Sequence, residues 1–457
     1  MQYGLTKINK YYIIFIMDNF VKKYLIITYG CQMNLHESEK IAGILTSLGY
    51  QATENEIDAD VIVFNTCCIR ENAEDRAEGN IGALKKLKQQ KKDMIIAVGG
   101  CMTQQSGYAE ILHEKFPFID IIFGTHNLEN FKELLLKKLS QRKAVISVWE
   151  KEGAVVEGTP KTRTSYPNAW VNIAYGCNNF CTYCIVPYVR GRERSRKIED
   201  IVEECKQLIS EGYKEITLLG QNVNSYGSDL GTVDFSTLID EVSKIPGKFR
   251  LRFMTNHPKD LSEKLVLAIK NSEKACKSIH LPVQAGSNRI LKLMNRKYTR
   301  EDYFAKVDLL RKHIPDISIT TDIMVGFPTE TEEDFLDTVD LVKRVNYAGA
   351  FTFVYSRRKG TPADKMDGQI EEAVSKRRIM QLIDIQNTAN REQSKQYLGK
   401  TIEILCEDFD DKKQMYIGRD TYGRMAYFKS LNNRIGEFVQ VKITKTGGMS
   451  LLGEICE

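Results

Sequence analysis

The sequence has no apolar run long enough to cross a bilayer. Its first apolar stretch, Tyr11–Ile16, is far too short and has no small-residue cleavage site behind it, so neither an anchor nor an export signal is read there. Charge of one sign is also missing: 65 basic residues against 60 acidic ones leave a net charge of +5, too mild to announce a nucleic-acid partner by itself. Internal repeats and low-complexity tracts are absent. Without an export signal, the eleven cysteines are expected to be reduced thiols in a cytoplasmic protein, available to metals rather than paired in disulfides. Residues 1–21 are expected to be a disordered extension, and residues 1–16, which precede a second methionine at Met17, are read as part of it or as the product of an upstream start.

What is present is a repeated alternation. From Lys23 the runs "KYLIITYG", "VIVFNT", "MIIAVGG" and "IDIIFGT" alternate with amphipathic patterns such as "SEKIAGILTSLG" and "LENFKELLLKKLSQ". Continuous Val/Ile runs between helices are the mark of parallel strands buried on both faces. The fold class is therefore α/β, beginning with an N-terminal open parallel α/β sheet over residues 22–140. A polar stretch without clear period around Lys151–Pro167 places a linker at 141–162. Six further strand-helix units, from "WVNIAY" to "FTFVYS", predict a partial (βα)6 barrel over 163–394 with its chemistry at the C-terminal strand ends. Short strands such as "TIEILCE" and "EFVQVKITKT" predict a small, OB-like β-barrel over 395–457.

The cysteines fall where strands give way to loops. Cys31 follows "IITYG", Cys67 follows "IVFNT" and Cys101 follows "IAVGG". Such ends share one edge of an open α/β sheet, so three thiols about 35 residues apart in sequence are expected to converge on a shared metal or cluster. Any one of them read alone is a small buried hydrophobe. Successive residues of an extended segment face opposite ways, so only one of Cys67 and Cys68 should face the site. A second group, Cys177, Cys181 and Cys184 in "CNNFCTYC", follows the first barrel strand. Structural zinc wants four ligands, and the next cysteine, Cys205, sits inside a predicted helix. Three thiolates suit a cubane iron-sulfur cluster with one iron left open.

The chain resembles the radical S-adenosylmethionine methylthiotransferases, most closely those of the tRNA 2-methylthio-N6-dimethylallyladenosine type. The resemblance rests on "TYGCQMNLHESEK", "NTCCIRENAEDR", "GGCMTQ", the cysteine loop, "RGRERSR", "HLPVQAGSNRILKLMNRKYTR", "TDIMVGFPTET" and "YSRRKGTPA". It implies two [4Fe-4S] clusters, one on Cys31, Cys67 and Cys101 and one on Cys177, Cys181 and Cys184. The second would bind S-adenosyl-L-methionine and generate a 5′-deoxyadenosyl radical, while the first would supply a sulfur methylated by a second S-adenosylmethionine. The product would be a methylthio group at C2 of N6-isopentenyladenosine beside the anticodon, so the expected partner is the tRNA anticodon stem-loop. An electron donor such as flavodoxin or ferredoxin and a monomeric state are also expected. "NTC" aligns Cys67 with the family's ligand and leaves Cys68 as an extra neighbour. The last sixty or so residues resemble the TRAM domain, an RNA-binding module.

Other positions follow from the strand ends. Gly220, Gln221, His257, His280 and Gln284 are expected to line the cofactor pocket, with catalysis carried by the clusters rather than by an identified side chain. Arg190, Arg192, Arg194 and Arg196 leave the cysteine loop directly, and Arg357, Arg358 and Lys359 follow the sixth strand. They are expected to orient RNA through phosphate contacts. In the last domain nine basic residues balance nine acidic ones, so a grip on RNA would need one face, such as Lys429, Arg434, Lys442 and Lys445 with Tyr422, Tyr427 and Phe428. The competing readings are the same chemistry on threonylcarbamoyladenosine tRNA or a ribosomal protein, and an iron-sulfur or zinc RNA-binding protein without radical chemistry.

Overall fold

Runs of Val and Ile at positions 61–64 and 95–98 are buried on both sides. Alternate residues divide between two cores: Val61, Val63, Ile95 and Ala97 join one apolar cluster, and Ile62, Phe64, Ile96 and Val98 join another. Helices must therefore cover both faces, and the chain folds accordingly. The computed structural model describes residues 21–68, 71–153 and 155–456; the expected extension at the N-terminus lies outside them, apart from Val21. The chain divides into two units, Met1–Glu150 with Gly158–Thr162 and Lys151–Glu157 with Arg163–Glu457.

In the first unit the strands are Lys23–Thr28 (β1), Gln51–Ala52 (β2), Val61–Thr66 (β3), Ile95–Gly100 (β4), Ile121–Phe123 (β5) and Val145–Ser147 (β6), all parallel in the order β2-β1-β3-β4-β5-β6. The helices are Gln32–Ser47 (α1), Glu71–Ala83 (α2), Lys85–Gln90 (α3), Tyr108–Lys115 (α4) and Phe131–Ser140 (α5). Two edge strands, β2 and β6, are additions to the four sequence-predicted ones, and β6 falls inside the span expected as linker. Three residues are too few to show a period, yet β6 pairs with β5 from Val145 to Ser147. Further along that span, Thr162 N donates to Glu39 O, and Gly43 on α1 lies so close to Pro160 that a β-carbon there would meet its carbonyl at 2.2 Å.

The second unit begins with Asn168–Asn172 (β7), Ala174–Tyr175 (β8), Val186–Arg190 (α6), Arg194–Ser195 (β9) and Ile198–Ser210 (α7). It continues through Glu215–Leu219 (β10), Phe235–Ser243 (α8), Arg250–Phe253 (β11), Glu263–Asn271 (α9), Ser278–His280 (β12), Asn288–Leu293 (α10), Arg300–His313 (α11), Ser318–Val325 (β13), Glu332–Val345 (α12), Gly349–Val354 (β14) and Glu372–Lys395 (α13). The six main strands form two parallel three-stranded sheets, β7-β10-β11 and β12-β13-β14, joined by the isolated bridge Leu251↔Ala275. They are the six expected barrel strands, and β7 and β14 are left as edges. Local chemistry starts the helices where they start: Asp234, Ser262, Ser287, Thr299 and Thr331 cap α8 to α12 through side-chain acceptors.

The chain ends in a closed five-stranded barrel of Thr401–Asp410 (β15), Met415–Arg419 (β16), Met425–Lys429 (β17), Phe438–Thr446 (β18) and Ser450–Ile455 (β19), in the order β15-β16-β17-β19-β18. A buried charge network ties it to the strands before it. Glu215, fully buried on β10, takes Nε and Nη2 of Arg252 on β11 at 3.0 Å each, and Arg419 on β16 reaches the same carboxylate at 3.4 Å. No described helix is long and apolar enough to cross a membrane.

Candidate active site

In the first unit the thiols are set by backbone turns that a side chain would block. Gly30 has φ +111°, and a β-carbon there would meet Cys67 Cβ at 2.7 Å and Sγ at 3.0 Å. Gly100 has φ +104° and lies against the Thr66 carbonyl, to which Cys101 N donates at 2.9 Å. Asn34 Nδ2 donates to Tyr29 O at 2.9 Å and Thr66 O at 3.0 Å, fastening the turn that carries Cys31 to the end of β3. Cys31 sits one residue before α1, with its Sγ 3.8 Å from Asn34 Oδ1. Cys67 and Cys68 are both buried, and Cys67 joins the apolar cluster over β3 and β4. The Cys68 thiol is the one hydrogen-bonded to Cys101; that bond, its burial and the nearby Cys101 and Cys67 push it up. Cys67, Cys68 and Cys101 therefore gather at the ends of β3 and β4, with Cys68 inside the group rather than turned away from it, and Cys31 sits on the turn that Asn34 fastens to the end of β3.

In the second unit β7 ends at Asn172 and the loop after β8 carries Cys177, Cys181 and Cys184. Phe180 within it adopts φ +46°, a left-handed conformation rare for a bulky side chain. Burial pushes the Cys184 thiol up to about 12, helped by the neighbouring Cys181, and burial also raises Cys177. Thiols so placed ionise only when a positive centre joins them, which is what metal binding supplies. Among the described residues no three His, Cys, Asp or Glu side chains close on a single ion. A cubane spreads its ligands over separate irons, so a shared loop is the geometry it needs.

Around this loop, the strand ends carry buried polar atoms without a partner: both side-chain atoms of Asn172, Oδ1 of Asn256 and Nε2 of His257. Buried amides and imidazoles left unpaired are costly, so this mouth is built for a polar ligand, and S-adenosylmethionine fits that requirement. Thr255 at φ +70° and Gln284 at φ +71° lie at the same strand ends, strained backbone of the kind held at functional sites. His257 is pulled down to about 2 by burial, with Arg296 and Lys259 adding to it, and is a neutral imidazole. Asn222 receives His257 N at 3.0 Å and donates to Asp260 at 2.7 Å, joining the loops after β10 and β11. Gly220 is buried beside Val223. Gln221 is half-buried, and Gln284 is buried with its N–H on Asp322 O at 2.9 Å. His280 is engaged elsewhere, by Thr320 Oγ1 at 3.0 Å and Asp322 at 3.4 Å. Asn172, Asn256 and Asn222 were missed; their place at a strand end or three residues beyond it was the available signal.

The arginine run needs correction. Arg196 is buried, with Glu157 at 2.6 and 2.7 Å, Glu204 at 2.8 Å and the Asn172 carbonyl at 2.8 Å, and Arg190 is buried as well. Neither offers its charge to a phosphate, because carboxylates distant in sequence have consumed one and packing encloses the other. Arg194 is half-buried against the Gly153 carbonyl. Arg192 alone of the four is exposed, stacked on Phe180 at 4.4 Å. Arg357 and Lys359 are exposed and Arg358 half-buried. In the last barrel Phe428 is fully buried core rather than an exposed aromatic, whereas Lys429, Lys442 and Lys445 face outward.

Profiles of three families match the chain: the radical SAM superfamily over residues 171–342, the uncharacterized protein family UPF0004 over 23–124 and the TRAM domain over 395–456. The chain is 52% identical over 433 residues to the tRNA-2-methylthio-N(6)-dimethylallyladenosine synthase of Clostridium tetani, covering 94% of this chain and 96% of that protein. It is 50% identical to the Acetivibrio thermocellus protein of the same name, over 95% of this chain and 91% of the other. The Thermoanaerobacter pseudethanolicus relative so named is 51% identical, over 95% and 93%. Among solved structures, the radical S-adenosylmethionine methyltransferase TsrM of Kitasatospora setae superposes with a TM-score of 0.56 at 15% identity, covering 76% of this chain and 74% of that one. That likeness is one of fold.

Proposed function

The chain belongs to the tRNA-2-methylthio-N(6)-dimethylallyladenosine synthase family, and on that premise we propose that it inserts a methylthio group at C2 of N6-isopentenyladenosine beside the anticodon. The observation that carries this reading is the combination of about half identity along almost the whole chain with two thiol groups at strand ends. Cys177, Cys181 and Cys184 would hold one [4Fe-4S] cluster, and Cys31, Cys67 and Cys101 the other. When bound, the clusters and S-adenosylmethionine supply one-electron chemistry able to activate an unreactive C–H bond, together with the sulfur and methyl group to be transferred. Two S-adenosylmethionine molecules are used per turnover.

The chain's own residues bind and orient. Unpartnered polar atoms of Asn172, Asn256 and His257 offer donors and acceptors to the cofactor, beside Gly220, Gln221 and Gln284. His257 Nδ1 accepts from Lys259 N at 3.3 Å, so the neutral ring presents Nε2–H and donates without adding charge beside a sulfonium. The Asn222–Asp260 bond and the bond from Lys259 Nζ to Asn179 Oδ1, at 3.0 Å, hold the loops after β10 and β11 against the cysteine loop. Arg192, Arg357 and Lys359 supply phosphate contacts, with the TRAM barrel's outward lysines adding further ones. The target base must leave its stack to reach the mouth. The protein works as a cytoplasmic monomer fed by a donor such as flavodoxin or ferredoxin.

Mass spectrometry of tRNA nucleosides from a strain lacking the gene tests this. Loss of the methylthio mark from isopentenyladenosine alone is expected. Loss from threonylcarbamoyladenosine, or from a ribosomal protein with tRNA intact, would reassign the substrate.

A further inference from the structure

Arg296 is a buried cation with no carboxylate partner among the described residues. It is 4% exposed, and its polar contacts are the Pro282 carbonyl at 2.7 Å from Nη2, the Tyr298 hydroxyl at 2.9 Å from Nε, and the Tyr183 hydroxyl and Cys181 Sγ, each 3.3 Å from Nη1. Buried charges in proteins are paired, and a carbonyl and two hydroxyls bring dipoles rather than a full charge. Of the four contacts, only the Cys181 sulfur can carry the balancing negative charge. Four further buried guanidiniums of this unit, Arg196, Arg250, Arg252 and Arg378, each sit on a glutamate. Arg296 stands apart from them.

The backbone is arranged to put it there. Asn295 and Lys297, on either side, have φ +59° and +61°, so a left-handed turn on each flank delivers Arg296 inward at the end of α10. The turn is fastened to the cysteine loop at three points: Asn295 Nδ2 to Phe180 O at 2.9 Å, Thr182 N to Met294 O at 3.1 Å, and Thr182 Oγ1 to Leu293 O at 2.9 Å.

We propose that Arg296 is a positioning residue that holds the Cys181 sulfur and sets the reduction potential of the barrel cluster. The inference rests on the assignment of Cys177, Cys181 and Cys184 as cluster ligands. Reduction brings one electron from a low-potential donor into a site already ringed by thiolates. A fixed positive charge donating N–H to one ligand sulfur, away from water, favours the reduced form and raises the potential. An alkyl side chain of similar length would leave that added electron unopposed.

The test uses the full chain with Cys31, Cys67 and Cys101 replaced by alanine, reconstituted anaerobically so that only the barrel cluster is read. About four irons per chain keep the ligand assignment; iron near zero sinks that assignment, whatever Arg296 does. The midpoint is then measured by dithionite titration followed by electron paramagnetic resonance, without S-adenosylmethionine. Arg296→Met should lower the ratio of reduced to oxidised cluster at fixed poise at least tenfold, a downward shift of about 59 mV or more for one electron. Arg296→Lys, which keeps the charge but not the planar fork, should fall between. An unchanged midpoint in iron-loaded Arg296→Met overturns the proposal. If Arg296→Met takes up no iron, Arg296→Lys decides: a lowered midpoint supports the proposal and an unchanged one overturns it. Failure of both variants to hold iron would make the residue a scaffold and overturn the redox role.

Discussion

Replacing Glu215 by glutamine removes one charge from the only described fully buried carboxylate shared by two arginines, Arg252 of the strands and Arg419 of the terminal barrel. The fold keeps its shape while Arg252, 6% exposed, loses its counter-ion. Breaking a buried pair from one side costs about 3–5 kcal/mol. In a unit of this size each kcal/mol moves the melting point by roughly 2 °C, so the apparent Tm should fall by roughly 6–10 °C in anaerobic scanning fluorimetry near pH 7. Glu215→Gln combined with Arg252→Met should cost less than the sum of the two singles, because the second change removes the orphaned cation. Acid supplies an independent check. Burial pushes the Glu215 carboxyl up, but Arg252 and Arg419 outweigh it and hold it below the usual range. A depressed pKa gives stability that is complete above the unfolded carboxylate value near 4.3 and is lost as pH falls further. The parent and Glu215→Gln curves should therefore converge below about pH 4. A Tm change under about 2 °C, or strict additivity in the double variant, would refute the reasoning.

Alanine at Cys177, Cys181 or Cys184 should remove about half of the roughly eight irons taken up per chain, read by colorimetric iron assay; full retention would move the ligand set elsewhere. Cys67→Ala should lose the first-unit cluster and Cys68→Ala should keep it, and the reverse outcome would make the Cys101-bonded thiol the ligand. Arg192→Ala should weaken tRNA binding and reduce the slope of log affinity against log salt by about one, whereas Arg196→Ala should leave that slope alone and lower stability by roughly 2–4 kcal/mol through its stranded glutamates. The His257 ring should show no titration by carbon NMR between pH 5 and 8. Because its folded pKa is depressed to about 2, the stability it gives is complete above the unfolded value near 6.5 and drains away as pH falls below it; a folded-state midpoint near 6.5 would contradict its burial.

The strands that carry the thiols were legible because β3 and β4, buried on both faces, are almost wholly apolar and β1 nearly so, and each of the three runs ended at a cysteine or the glycine before it. The small barrel was legible from its turn spacing. Strands β2 and β6 were not, since two or three residues hold no period. The arginine run misled for a related reason. Whether an arginine meets solvent or a glutamate depends on partners as distant as Glu157, 39 positions away from Arg196, and charge patterning sees only neighbours. Arg296 shows the limit most clearly: its sulfur partner is 115 positions upstream, and nothing in "MNRKYTR" announces a cation aimed at a cysteine.

The ring of strands around the cysteine loop does not close. An eight-stranded cylinder fills its own interior with side chains, and a small metabolite reaches such a centre only from above. Here the outer strands β7 and β14 have no partner for their far edges among the described residues, and Phe351 on β14 stands 53% exposed. A nucleoside still attached to its polymer cannot be swallowed end-on, but it can be slid in from the side. The missing staves give the cask a slot, and a slot admits a bead without cutting its string.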